Sequence, residues 1–403
     1  MFLKLIKRCF QAFFTGLLLL ILFLNFKLYY SPDFSTSNGH NEDVLAQLNY
    51  LEQELHAGAA EDMQQLFPEG HVFTTVLYGL AWADFADPLP NGELKARALR
   101  EIDWALAEIN SPKGKAVFST DLPLHLGVYY RGWQNYLLCK KLGLQTPENR
   151  DRLQVNQFRD NADAIATAFE NSPTPFLESY HDASWPADNV IAMASLANYD
   201  RLFNSYRYQK TKADWLEKVR LRLDGKTKLI PHYTEARNGR VMEGARGSSQ
   251  SLILCFLPEI DSIFAVEQHA FYEKAFVDTR LGLTGIREYP KGQEGDGDID
   301  SGPVIWGIGG AASLVGQRAA GIHKKEQRFV ELRNSVEAFG TAYQWNGKKR
   351  FVFGQLAVAD AFIAWANAVE QRKGQFKSSS WRGTFQLSSL GLFLLIGWMI
   401  YRI

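Results

Sequence analysis

Two kinds of helical pattern alternate along the middle of this 403-residue chain. The first kind is amphipathic, with apolar residues three and four apart on one face and charges on the other. It predicts helices over residues 43–57, 92–110, 152–170, 201–223, 261–276 and 325–340. In the second of these, Leu94, Ala98, Ile102 and Ala105 face inward while Glu93, Arg97, Arg100 and Glu101 share the surface. The second kind is apolar almost all round, rich in Gly, Ala and Ser, and follows a polar loop. Its copies start at His71, His125, Asp188, Ser248, Pro303 and Gln355, a spacing of 52 to 63 residues. Convincing alternating strands are few.

A helix that is apolar all round must be buried on all sides, and small residues let such helices approach closely. Six buried helices alternating with six amphipathic ones predict an all-α closed double ring, inner within outer. An open array of the same hairpins is the competing arrangement. The apolar helices are not membrane spans, because Asp84, Arg131, Asp200 and Arg246 interrupt or bound them. Over residues 43–371 the layout resembles the (α/α)6 toroid superfamily of six helical hairpins. That superfamily holds glycoside hydrolases, sugar epimerases and polysaccharide lyases.

The ends differ from the middle. Cys9 to Phe26 carries no charge and is long enough to cross a bilayer core. The bulky run Asn25-Phe26-Lys27-Leu28-Tyr29-Tyr30 does not resemble a cleavage site, which favours an uncleaved anchor over a removed signal peptide. Gly383 to Tyr401 is a second charge-free stretch, with Trp381, Trp398 and Tyr401 at interfacial positions; its polar first third also suits a surface helix. The expected organisation is an N-terminal transmembrane anchor (1–30), a linker (31–42), the toroid (43–371), a second linker (372–382) and a C-terminal transmembrane helix (383–403). Lys4, Lys7 and Arg8 before the first span place the N-terminus in the cytoplasm and the domain outside, in an inner-membrane, two-pass protein. Arg372, Lys373, Lys377 and Arg382 before the second span argue the other way.

Composition narrows the partners. Lys+Arg 44 balances Asp+Glu 44, so the basic surplus of a nucleic-acid binder is missing. Three cysteines are too few for a disulfide scaffold and lack zinc spacing. Phosphate-binding glycine loops, a dinucleotide fingerprint and His-Glu-x-x-His do not occur, so neither metal nor cofactor is expected. The expected partners are the membrane and a small-molecule or glycan substrate; oligomeric state is not legible.

In a toroid the loops entering the inner helices converge at one end, where helix N-termini favour anions. Here those loops are loaded. Asp188 follows Trp185-Pro186-Ala187 and opens a helix, so it is either an N-cap or a site carboxylate. Asp300 precedes Ser301-Gly302-Pro303, where Pro303 suits a first helical turn and leaves Asp300 free for the mouth. Two carboxylates across a cleft, one protonated and one ionised, are what glycoside hydrolysis needs. Asp182, Glu243 and Glu288 are the reserve acids. Arg246 suits an acidic group or an ion pair with Glu243. His181 and His125 are candidate acid/base or binding groups. Tyr180, Trp185, Tyr233, Tyr289 and Trp306 suit stacking walls. Asp296-Gly-Asp298-Ile-Asp300 begins like a calcium loop, but Ser301 and Gly307 stand where Gly and Glu are required.

Trp185-Pro186-Ala187-Asp188 followed by an apolar helix and Tyr199-Asp200 is similar to linalool dehydratase/isomerase-like proteins. That likeness implies chemistry on a terpenoid alcohol. Active-site cysteines are associated with that family, and these loops contain none. The leading expectation is a membrane-anchored enzyme acting on a carbohydrate or glycoconjugate by carboxylate acid/base chemistry. A lyase or isomerase on a terpenoid or lipid alcohol, and a non-catalytic glycan-binding or scaffold protein, are the alternatives. Substrate polarity separates the first two: a sugar site needs polar groups around stacked rings, a terpene site is mostly apolar.

Overall fold

The computed structural model describes residues 2–34, 39–299, 301–373 and 375–402. Six inner helices form a closed ring: α4 (Gly70–Ala86), α7 (Gly127–Gly143), α9 (Pro186–Phe203), α11 (Gly247–Ile260), α13 (Gly310–Ile322) and α15 (Ala357–Lys373). Each packs on the next, and α15 returns to α4. Around them lie α2 (Glu42–His56), α5 (Glu93–Asn110), α8 (Arg152–Asn171), α10 (Gln209–Arg220), α12 (Ser262–Phe276) and α14 (Glu326–Phe339). Ring closure makes the fold an (α/α)6 toroid and removes the open array. Two short helices, α3 (Ala59–Leu66) and α6 (Pro112–Lys115), sit in connections, and α1 (Phe2–Lys27) and α16 (Gly383–Arg402) are the terminal apolar helices.

The helices form where side-chain chemistry starts and stops them. Asn41, Asp151 and Asp261 cap α2, α8 and α12 by accepting from backbone N–H groups of the first turn. Close packing of inner helices requires small residues. A Cβ on Gly132 of α7 would meet the Ala192 backbone of α9 at 3.1 Å. Trp133, Phe256 and Trp365, from α7, α11 and α15, fill the axis with ring centroids 5.5 to 6.4 Å apart. The barrel therefore has a floor and is not a through-channel.

Two expectations change. The helix expected from Arg201 belongs partly to α9, which runs to Phe203; α10 begins only at Gln209, after Asn204 takes the left-handed conformation. Pro303 does not open a helix. Val304–Ile305 and Ile308–Gly309 pair as a hairpin, because Trp306 and Gly307 both adopt positive φ, as a two-residue turn requires. The inner helix starts at Gly310. Short strands also decorate the mouth: Ala183–Ser184, Tyr233–Glu235 and Val241–Glu243 form a three-stranded antiparallel sheet, and Val277–Arg280 pairs with Leu283–Ile286.

α1 and α16 are long and apolar enough to cross a membrane. They pack together, with Asn25 Nδ2 donating to Ser389 Oγ at 3.0 Å. Leu28, Ala338 and Phe385 form a small cluster that fastens both helices to α14. The end of α1 and the start of α16 thus meet at one place on the toroid.

Candidate active site

The inner-helix N-termini surround a cavity of about 920 Å³. Trp133 forms part of its floor, and Phe73, Tyr129, Tyr180 and Trp185 line one side. Tyr180 meets Trp185 edge-on at 6.0 Å, and Tyr233 packs behind Trp185 at 5.1 Å. Most of the remaining lining is aliphatic, contributed by α13, α14, α15 and the hairpins before them.

The polar wall is built around the start of α11. Gly247 N–H donates to the Glu288 carbonyl at 2.8 Å, and a Cβ at Gly247 would stand 1.8 Å from the Arg287 carbonyl oxygen. Only glycine permits that approach. It sets Arg246 and Ser248, on either side, against the buried Glu288 carboxylate. Arg246 Nε donates to Glu288 Oε1 at 2.8 Å, and Ser248 Oγ donates to the same oxygen at 2.8 Å. Arg246 Nη1 donates to Asp298 Oδ2 at 2.5 Å, and Glu243 Oε1 lies 3.6 Å from that nitrogen. The guanidinium also sits over the Tyr289 ring at 5.4 Å. One arginine thus serves three carboxylates.

The consequences are unequal. Burial pushes Glu243 and Glu288 above the usual carboxylate range, and Arg246 only partly opposes this. Asp298 is partly buried too, but its hydrogen bonds from Arg246 and the Ser301 amide win and hold it at about 2. His232 lines the cavity between Ser249, whose hydroxyl meets Nδ1, and Glu243, whose Oε2 lies 3.9 Å from Nε2. Burial, then the Arg246 charge, lower the imidazole to about 3, so it is neutral at ordinary pH.

Asp188 lines the cavity and accepts from Ser179 Oγ at 2.6 Å. It is the third residue of α9, whose N-cap is Trp185, so the N-cap role expected from the sequence is not the one it plays. Glu69 lines the cavity beside Tyr180, whose hydroxyl donates to it.

Of the residues singled out in the sequence, Asp188, Tyr180, Trp185 and Trp306 line the cavity. Glu243, Arg246 and Glu288 form the cluster behind it, with Tyr289 stacked on the arginine and Tyr233 behind Trp185. His181, Asp182 and His125 do not line it: they are exposed, with His181 paired to Asp121 at 3.1 Å, Asp182 to Arg237 at 3.1 Å, and His125 Nδ1 near the Thr120 carbonyl at 2.8 Å. Asp300 lies outside the described residues. His232 and Glu69 were missed as site groups. Asp298 was read only as part of a calcium-like run, and its partner is Arg246. A lone histidine before Tyr233 carries no sequence signal. Cys139 and Cys255 are buried, with thiols pushed up to about 12 by burial, and neither lines the cavity.

No family model matches the chain, and no curated protein matches its sequence. Solved structures resemble it in fold. An unsaturated glucuronyl hydrolase specific for heparin is 11% identical, with a TM-score of 0.48 over 76% of this chain and 88% of that one. A possible member of the GH105 family from Klebsiella pneumoniae is 11% identical, with a TM-score of 0.48 over 89% and 93%. A GH76 alpha-mannanase from Bacteroides thetaiotaomicron is 10% identical, with a TM-score of 0.44 over 75% and 87%. At these identities and scores the likenesses describe helical architecture and carry no argument about chemistry.

Proposed function

We propose that this protein is a membrane-anchored enzyme acting on a carbohydrate or glycoconjugate, with Glu243 as general acid and Asp298 as its ionised partner. The observation that carries this reading is the pair of carboxylates on Arg246 Nη1, one raised and one held at about 2, beside an aromatic-lined cavity. Glu243 would give its proton to the departing glycosidic oxygen. Asp298 would attack the anomeric carbon, and water would then release the sugar and return the proton. The contacts to Nη1 are 3.6 and 2.5 Å, so these two oxygens lie no further apart than those lengths end to end. An inverting pair needs ~6.5–9.5 Å between its carboxyl groups to admit water, so retention is the outcome proposed. Asp188 is the third acid, and Trp185 and Tyr180 would stack on sugar rings.

The largely aliphatic lining favours a second reading, a lyase or isomerase on a terpenoid or lipid alcohol. Under either reading the cations before α1 support a cytoplasmic N-terminus and a toroid on the outer face of the inner membrane. The test uses the full chain in nanodiscs, incubated with soluble glycans, glycolipids and lipid alcohols, with products read by mass spectrometry. Glycan cleavage that is lost in Glu243→Gln and Asp298→Asn supports the first reading. Turnover of lipid alcohols alone supports the second. No product from any of them, with intact folding, overturns both.

A further inference from the structure

We infer that the cavity is open toward the bilayer and that the substrate is a membrane-resident lipid with a sugar-like polar head, its apolar tail lying between α13 and α14. This rests on the reading of the cavity as the substrate site and adds the class of molecule that fills it.

The cavity is chemically two-ended. Asp188, His232, Ser248 and Ser249 cluster at the inner-helix N-termini. From there the lining becomes aliphatic and aromatic, through Leu314 and Val315 of α13 and Leu332, Val336 and Phe339 of α14. It ends at Phe385, in the first turn of the terminal apolar helix α16. A free oligosaccharide has no use for that limb, since burying its hydroxyls against aliphatic walls leaves them unpaired. An alkyl or prenyl chain gains about 0.8 kcal/mol for each methylene buried there.

The rim points the same way. Leu281, Ile305, Trp306 and Phe339 line the cavity, yet each is more than half exposed. Contiguous exposed apolar side chains mark a membrane or a partner. Here the two helices that can span a bilayer settle which. Leu283, from the same hairpin as Leu281, packs on the cluster of Leu28, Ala338 and Phe385 that anchors both helices. Gly282 at the hairpin turn lies against Thr384 of α16, and Phe339 meets Phe385 edge-on at 6.4 Å. The rim is therefore at the level where α1 and α16 leave the domain, next to any membrane they cross. A lipid can pass sideways from the bilayer over this rim while its head meets Asp188, His232, Ser248 and Ser249, in front of the Glu243–Arg246–Asp298 cluster.

The test is photolabelling of the full chain in phosphatidylcholine nanodiscs with a hexadecyl β-glucoside carrying a diazirine at the tail end. Label is expected on peptides holding Leu314, Val336 and Phe339, and free hexadecanol should compete for it while methyl β-glucoside should not. Ser335→Trp and Leu314→Trp each fill the limb. Whichever melts with the parent should lose about tenfold of this labelling, the equivalent of two methylenes left without a pocket. Label confined to the lipid-facing sides of α1 and α16, or competition by methyl β-glucoside alone, would overturn the inference. Labelling is also run in Glu243→Gln. Retained labelling with no turnover in any protein would sink the catalytic reading only. Turnover of soluble glycans without tail labelling would sink this one only.

Discussion

The two ends of the toroid use charge in opposite ways. At the far end, near the inner-helix C-termini, Glu259 takes one bond each from Lys140 (2.9 Å), Tyr136 (2.9 Å) and Asn198 (2.6 Å). Those donors outweigh its burial and keep it below the usual carboxylate range. Deeper in, Arg318 donates to Asp84 Oδ2 and to the Trp365 carbonyl, both at 2.6 Å, and lies over the Trp365 ring at 4.0 Å. Glu259 thus has three donors, and Asp84 has a buried guanidinium. At the mouth, Glu243, Glu288 and Asp298 compete for one guanidinium, and two of the three are pushed up. An acid satisfied by several donors stabilises a fold. An acid left short of positive charge near a cavity is available to move a proton.

The largest effect should come from removing that proton. Glu243→Gln keeps the shape of the side chain and takes away its acid. We expect kcat to fall by about 10²–10⁴-fold on whichever substrate the parent turns over, with a melting temperature like the parent's. The activity profile of the parent should fall as pH rises through the raised Glu243 value, because the acid must be protonated, and the variant should lose that limb. An unchanged kcat would erase the contrast between the two ends.

The far end should answer in stability. Asp84 and Arg318 are both almost fully buried, so Asp84→Asn leaves a guanidinium charge in the interior without its counter-ion. The expected cost is about 3–5 kcal/mol in urea unfolding, with kcat of the folded fraction unchanged. A cost below about 1 kcal/mol would mean that the far-end charges are as loosely held as surface pairs.

These two ends were not equally legible in the sequence. The inner helices could be read from composition, since a run such as Val190-Ile191-Ala192-Met193-Ala194-Ser195-Leu196 has no polar face to expose. Five of their starts came within two residues of α4, α7, α9, α11 and α15. The start at Pro303 failed because a proline before an apolar run fits a hairpin as well as a helix. Only the Trp306-Gly307 turn decides, and its geometry is set by φ, not by polarity. Asp188 and Arg246 were legible because each opens an apolar helix. The pairing of Arg246 with Asp298, 52 residues further on, was not. It depends on how closely Gly247 docks on Glu288, a three-dimensional fact that spacing does not encode. The aliphatic limb was hidden for a related reason: Leu314, Val336 and Phe385 look like core residues until the space between them is found.

pH should separate the ends by a smaller amount. His232 is held at about 3, well under the ordinary histidine value near 6.5. Between those values the unfolded chain binds a proton that the folded one does not. Stability from this group is therefore complete above about 6.5 and is lost as pH falls toward 3. Asp298 adds a loss of the same sign only below about 3.9, its ordinary value. His269, stacked on His323 at 4.3 Å and lowered to about 4, acts in the same direction elsewhere, so the comparison must be made by difference. Urea unfolding at pH 6.5 and 4.5 should show His232→Gln losing about 1–2 kcal/mol less than the parent. Equal losses would mean that the mouth relaxes enough to solvate the imidazolium.

The smallest effect is expected on the outer face of the mouth. Asp182 and Arg237 pair at 3.1 Å with both side chains more than two-thirds exposed. Asp182 also has φ +60°, a conformation that asparagine tolerates as well as aspartate does. Asp182→Asn therefore removes the charge without straining the backbone. A solvated ion pair contributes little, so unfolding should change by less than about 0.5 kcal/mol. Activity should stay within about twofold, because the carboxylate is exposed and paired with Arg237 instead of with Arg246. The sequence places Asp182 six residues before Asp188 in one loaded loop, as a reserve to it, and burial is not legible for either. Burial separates them: Asp188 is turned inward by α9, and Asp182 is turned out by its left-handed backbone. A large loss of kcat in Asp182→Asn would mean that the loop swings inward over bound substrate, and the boundary between the mouth's working acids and its solvated rim would have to be redrawn around that motion.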